Sequence, residues 1–168
     1  MNSSTRARMA AAGALVLATA LLGGCSALDG ILGGSVTRDA QTQEVTEAGD
    51  ADVFTLRVGD CFNDVDATEV TEVPAVPCAD AHDNEVYLSF DMPDGEWPGQ
   101  EAIDAAAEAE CTPAFSSFVG LDYDSSSLDW YAIYPVQGGW EDLGDREILC
   151  AVWDPAGMIE GTLAGAAR

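Results

Sequence analysis

Five cysteines, one histidine and thirty acidic side chains carry what reactive chemistry this 168-residue chain offers; lysine is absent. Four of the cysteines, Cys61, Cys78, Cys111 and Cys150, fall in the C-terminal two thirds. None is spaced Cys-x-x-Cys, and a zinc site would have to gather the single histidine and scattered ligands. An even number of thiols in an exported domain points instead to two disulfides. Four cysteines allow three pairings, and the count does not choose among them. The expected pairing is Cys61–Cys78 and Cys111–Cys150. The first pair flanks a short irregular excursion, and the second would fasten a helix stripe to a strand. Loop entropy gives such bonds about 3 and about 4 kcal/mol.

His82 sits in Asp80-Ala81-His82-Asp83-Asn84-Glu85. A histidine among carboxylates is a candidate general base or ligand, but no Gly-x-Ser-x-Gly or free-cysteine signature accompanies it. The simpler role is structural, a ring bonded to backbone beside a disulfide. Asp122-Tyr123-Asp124-Ser125-Ser126 has ligand types at the first, third and fifth places of a calcium loop. Ser127 replaces the glycine that such a loop needs, and Ile133 the closing glutamate, so a solvated acidic loop is the better reading. No metal site and no cofactor is expected. Without lysine a phosphate-binding P-loop is excluded, and with thirty carboxylates no one pair stands out as an acid and base. Trp97 and Trp140 fall in expected loops. They offer a binding surface if exposed, or a lid over a small core if they fold back.

The head of the chain sets the compartment. Arg6 and Arg8 precede an apolar run from Met9 to Leu22 that ends in Leu22-Gly23-Gly24-Cys25. This is the layout of a secretory signal; the run is shorter than the roughly 20 residues a membrane-spanning helix needs. A cysteine after Leu-Gly-Gly resembles the lipobox of bacterial lipoproteins, whose thiol is acylated with chains such as palmitate. Residues 1–24 are therefore expected to be a signal peptide, and Cys25 a lipid anchor on the outer face of the cell membrane. Residues 25–51, rich in Gly, Thr, Gln and acids, are expected to be a flexible tether with an end-to-end distance of roughly 25–30 Å. Residues 52–168 are the folded domain.

After cleavage four arginines face thirty carboxylates, a formal charge of −26. Such a surface repels nucleic-acid phosphate and anionic lipid headgroups. The partners it admits, besides the membrane reached through Cys25, are a basic protein segment or divalent cations.

Stepping along the domain, Val53 to Val58 alternates like a half-buried strand. A short β-prone run spans Glu69 to Val73, and Pro74 and Pro77 are expected to stop any ladder. Asn84 to Phe90 is a second clear strand, with Val86, Leu88 and Phe90 on one face and Tyr87 and Ser89 on the other. Gln100 to Val119 is the single helical stretch, with Ile103, Ala107, Cys111, Ala114 and Phe118 as its apolar stripe and a kink or break at Pro113. Leu128 to Val136 and Arg146 to Trp153 read as strands, the latter central, and Met158 to Leu163 as a weaker last one. Strands, one helical region, then strands predict an α+β fold. About five antiparallel strands would pack against one kinked or broken helix, braced by two disulfides.

The motifs Val58-Gly59-Asp60-Cys61-Phe62, Val76-Pro77-Cys78, His82-Asp83-Asn84-Glu85-Val86 and Trp97-Pro98-Gly99 occur in that order. Cys111, Trp140, Gly144-Asp145-Arg146 and Cys150 follow. Over residues 56–165 this series resembles the septum-formation domain family of actinobacterial envelope proteins. The resemblance implies an extracytoplasmic domain linked to cell division or envelope biogenesis, and it brings no catalytic residues. Where a Thr-Gly-Ser-like segment is expected after the last cysteine strand, Glu160-Gly161-Thr162 stands. The expected function is that of a non-enzymatic, lipid-anchored envelope accessory or binding domain. The alternatives are an extracytoplasmic hydrolase acting on wall material through His82 or a carboxylate pair, and a calcium-dependent interaction module.

Overall fold

A computed structural model describes residues 36–66 and 70–168. The expected signal peptide, the lipobox and Cys25 lie outside the described residues. The elements in chain order are β1 (Thr37–Arg38), β2 (Val45–Glu47), β3 (Gly49–Asp52), β4 (Cys61–Phe62), β5 (Glu72–Val76), β6 (Asn84–Asp91), α1 (Gln100–Val119), β7 (Asp129–Ile133) and β8 (Glu147–Trp153). β1 and β2 form a small antiparallel hairpin, and the other strands one six-stranded antiparallel sheet in the order β3-β5-β4-β6-β8-β7. The α+β architecture is as the sequence predicts, with six strands in the main sheet rather than five. β8 is flanked on both sides, by β6 and β7.

One face of the sheet carries α1. Ile103, Ala107, Cys111, Phe115 and Val119 are its buried stripe, and they pack on Tyr87, Ile148, Cys150 and Val152. Phe115 and Val119 take the places expected for Ala114 and Phe118, which flank the stripe and are half-buried. The helix is continuous through Pro113, so the expected break is absent. The proline and Ala109, whose carbonyl loses its partner, are both exposed, and water can satisfy that carbonyl at little cost. Gly120 closes the helix in the left-handed conformation (φ +82°), its N–H bonded to Ser116 O at 3.0 Å.

The register of β6 against β8 slips between Val86 and Leu88, leaving Tyr87 opposite no partner. This bulge turns Tyr87 onto the helix side, where its hydroxyl donates to Cys111 O at 3.0 Å. Its ring meets Phe115 edge-on at 6.1 Å, and burial pushes its pKa up. The slip also changes which residues share a face. Val86 belongs to the second core, while Leu88 and Phe90 join Tyr87 against the helix. The expected alternation of β6 is corrected accordingly.

The second core lies on the opposite face: Val45, Ala51, Val53, Leu56, Phe62, Val73, Val86, Leu149 and Ala151. Its members come from both margins of the strand order, β3 and β5 at one end and β8 with Tyr131 and Ile133 of β7 at the other. Val53 and Val73 from one end line a single cavity of about 240 Å³ with Tyr131 and Ile133 from the other, so the sheet is curled, with this face as its trough. The cover over part of it is supplied by residues 36–56, which corrects the expectation of a tether reaching to Ala51. From Thr37 onward the segment is structured, because Val45, Ala51 and Val53 have apolar area to bury. Arg38 also clamps the buried Asp60 through two bonds of 2.6 Å.

Two further expectations change. Val53–Val58 is no strand, since Val53–Thr55 is a 3-10 turn. Asp52 Oδ1 accepts the Phe54 N–H at 2.9 Å, and Thr55 Oγ1 donates to Asp52 O at 2.8 Å. Those local bonds outcompete a ladder. Conversely, β5 runs through Pro74, whose carbonyl accepts from Asn63 N at 2.9 Å. In extended backbone the missing N–H lies on that same side, beyond the short β4, so pairing with β3 loses nothing. The segment expected as a last strand, Met158–Leu163, makes only a bridge between Ile159 and His82. Its later donors go to Cys78 O (from Gly161 N, 2.6 Å) and to the Glu85 carboxylate (from Thr162 Oγ1 and Leu163 N, both 2.6 Å). Gly165 N bonds Phe118 O at 2.7 Å, so the tail is sewn across the sheet to the end of α1.

Candidate functional site

Both disulfides form as expected, Cys61–Cys78 over a sequence separation of 17 and Cys111–Cys150 over 39, with Cα–Cα distances of 5.2 and 5.8 Å. The second ties α1 to β8. Near the first, the two sulfurs and the Glu85 carboxylate lie within 4.8 Å of one another. Oxidised sulfurs are not thiolates and do not ligate a metal, and both Glu85 oxygens are engaged by the tail.

His82 is fully enclosed, at 0% exposure. Its Nδ1 is 2.8 Å from Asp80 O, its backbone N–H and carbonyl pair with Ile159 at 2.9 Å, and its Nε2 has no partner. The ring pins the Asp80 turn against the tail and meets no solvent. That is the structural role expected from the sequence, with the ring enclosed and bonded to backbone.

Trp140 is buried, and its indole N–H donates to Gly95 O at 2.9 Å. Trp97, half-buried, meets it edge-on at 5.6 Å, and the Arg146 guanidinium lies 3.8 Å from the Trp140 ring centroid. The two tryptophans thus come together, folded back over the core beside α1. They close the loops 91–99 and 137–146 onto the core and form no open aromatic face; the cation–π contact contributes to that closure.

The Asp122–Ser126 loop is a 3-10 turn in which Tyr123 packs on Phe115 at 5.2 Å. The Tyr123 hydroxyl donates to Asp129 Oδ1 at 2.5 Å, and that bond, with burial and nearby acids, pushes its pKa up to about 12. Asp129 is thereby committed to Tyr123 and the Trp130 N–H.

An apolar groove lies in the trough of the sheet, where the 36–56 cover stops. A groove of about 410 Å³ has Val53 and Phe54 on one wall, Ile133, Tyr134 and Val136 on the other, and Leu149 at its base. Phe54, Tyr134 and Val136 are 56%, 39% and 66% exposed. Asp145 and Glu147 are the charged side chains at its lining. A smaller cavity of about 240 Å³ shares Val53 and Ile133 with it and reaches Tyr131 and Asp64. Burial and the nearby Asp64 and Asp83 push the Tyr131 pKa up, so that end too is electronegative. None of His82, Trp97 and Trp140 lines either cavity. Sequence reading missed the groove because its walls come from opposite margins of the sheet. The signal that was present is Phe54, an apolar residue that no buried strand absorbs.

The chain is thus a disulfide-braced α+β domain with an apolar groove that Asp145 and Glu147 flank. A family model described as septum formation matches residues 58–164, and the chain belongs to that family. No curated protein and no solved structure matches the chain.

Proposed function

We propose that this chain is a lipid-anchored accessory domain of the cell envelope that works by binding rather than by catalysis. Septum formation ties the family to division and the envelope. The anchor is Cys25, the place is the extracytoplasmic face, and the partner is a basic protein segment. The observation that carries this reading is the trough: exposed apolar walls with carboxylates at the lining form a surface for holding a ligand. The enclosed His82, the group a hydrolase would call on first, supports the same view. Two disulfides support an oxidising compartment.

Mass analysis of the protein purified from its native cells tests this reading. The expected N-terminus is an acylated Cys25, with the other four cysteines oxidised. An unprocessed N-terminus or four free thiols would refute export. Release of soluble fragments from isolated wall material by the purified protein would replace binding with hydrolysis.

A further inference from the structure

Resting on the reading of the chain as a binding domain, we propose that the trough takes an extended peptide of a partner protein. That peptide alternates apolar and basic residues and lies as an added strand along the free edge of β7. Three observations meet here. Among the described residues, β7 is the last strand in the sheet order and is paired only with β8, so its outer edge is a template for strand addition. The groove begins where β7 ends, at Ile133, Tyr134 and Val136. Side chains on one face of an added strand would project toward it, since successive residues alternate between faces.

The charge of the lining selects the peptide. Asp145 and Glu147 line the groove and Asp64 the adjoining cavity, and no arginine lines either. The four arginines of the described residues are engaged elsewhere. Arg38 holds Asp60, Arg57 bonds Gln43 at 2.6 Å, Arg146 lies on Trp140 and Arg168 pairs with Asp154. Lysine or arginine on the peptide would neutralise these carboxylates, whereas an anionic lipid would be repelled by them. A second copy is disfavoured for the same reason, because it would set two strongly negative trough rims against each other.

The test uses the full chain carrying Cys25→Ser, ¹⁵N-labelled with its disulfides intact. The probe is the capped octapeptide (Leu-Lys)4, with (Leu-Glu)4 and (Ser-Lys)4 as controls. The expected result is shift changes gathered at residues 133–136 and 149, with exchange protection gained on β7 amides. Binding should weaken at least ten-fold in Phe54→Ser/Val136→Ser, whose side chains are exposed, and several-fold in Glu147→Gln. It should also weaken with added salt. Equal binding of (Leu-Glu)4 or of (Ser-Lys)4 would overturn the proposal. So would displacement of the peptide by phosphatidylcholine vesicles, or a dimer formed through the trough in the absence of peptide. Peptide shifts scattered over other acidic surfaces would overturn the groove assignment and leave the binding-domain reading intact. Failure of that reading shows separately, in the N-terminal mass of the native protein.

Discussion

At the residue scale, the buried acids of this protein act as anchors. Asp60 holds Arg38 and the Arg57 N–H, Glu85 holds the C-terminal tail, and Asp154 holds the Ala156 N–H at 2.8 Å together with Arg168. These bonds set the pH response. The Ala156 N–H, aided by Arg168 and opposed by burial, keeps the Asp154 carboxyl below its usual 3.8. A group whose folded pKa is depressed adds stability above its unfolded value, and that stability drains away as pH falls through the folded one. Asp154→Asn is therefore expected to lower the melting temperature at pH 7. The gap from the parent should close as the pH drops below about 3.8, the range where the unfolded carboxyl protonates. A gap that stayed constant with pH would show that Asp154 acts through packing alone. Little of this was readable beforehand. In a chain with thirty acids, nothing local marks Asp60 or Glu85 as buried, because their partners Arg38 and Leu163 lie 22 and 78 residues away. The structural reading of His82, weighed against a binding or catalytic one, rested on its place beside a cysteine at the opening of a strand, and its enclosed ring bonded to Asp80 O agrees with it.

At the element scale, local patterns were readable where one strong periodicity ruled and misleading where a single side chain changed it. The extents of α1, β6 and β8 lie close to those expected, and the α1 stripe holds from Ile103 to Cys111; the disulfide pairing was expected from Cys111 on that stripe and Cys150 in a central strand. The bulge at Tyr87 could not be read, because its cause is tertiary: the hydroxyl reaches the helix backbone at Cys111. Asp52 and Pro74 misled in opposite senses, the first capping a turn inside an alternating run, the second sitting harmlessly at the end of β4's pairing. The two disulfides should differ in their stabilising effect. The larger loop closed by Cys111–Cys150 predicts a loss of about 4 kcal/mol for the double alanine variant, against about 3 kcal/mol for Cys61 and Cys78. Urea unfolding at neutral pH measures both, and the reverse order would show that native-state packing, not loop closure, dominates.

At the scale of the whole molecule, the sheet has two different faces. Helix α1 covers one, while among the described residues the segment 36–56 covers only part of the other, beside an apolar groove that Asp145 and Glu147 flank. The fold class was legible from the order of strands and helix, but the extent of the domain was not. Thr37 to Ala51 is polar in composition, and its few apolar residues, Val45 and Ala51 among them, gain meaning only against a curled sheet. The same curl creates the trough, so the candidate site was invisible for the reason that the cover was. The central claim, that the protein acts by binding through this trough, meets its most direct test in living cells. A photo-crosslinking residue is placed at Val136 on the trough wall, or at the exposed Met158 outside it. The expected result is one discrete adduct from Val136, mapping to a lysine- or arginine-rich segment of an envelope protein, and none from Met158. Equal adducts from both positions, or none from Val136, would contradict it.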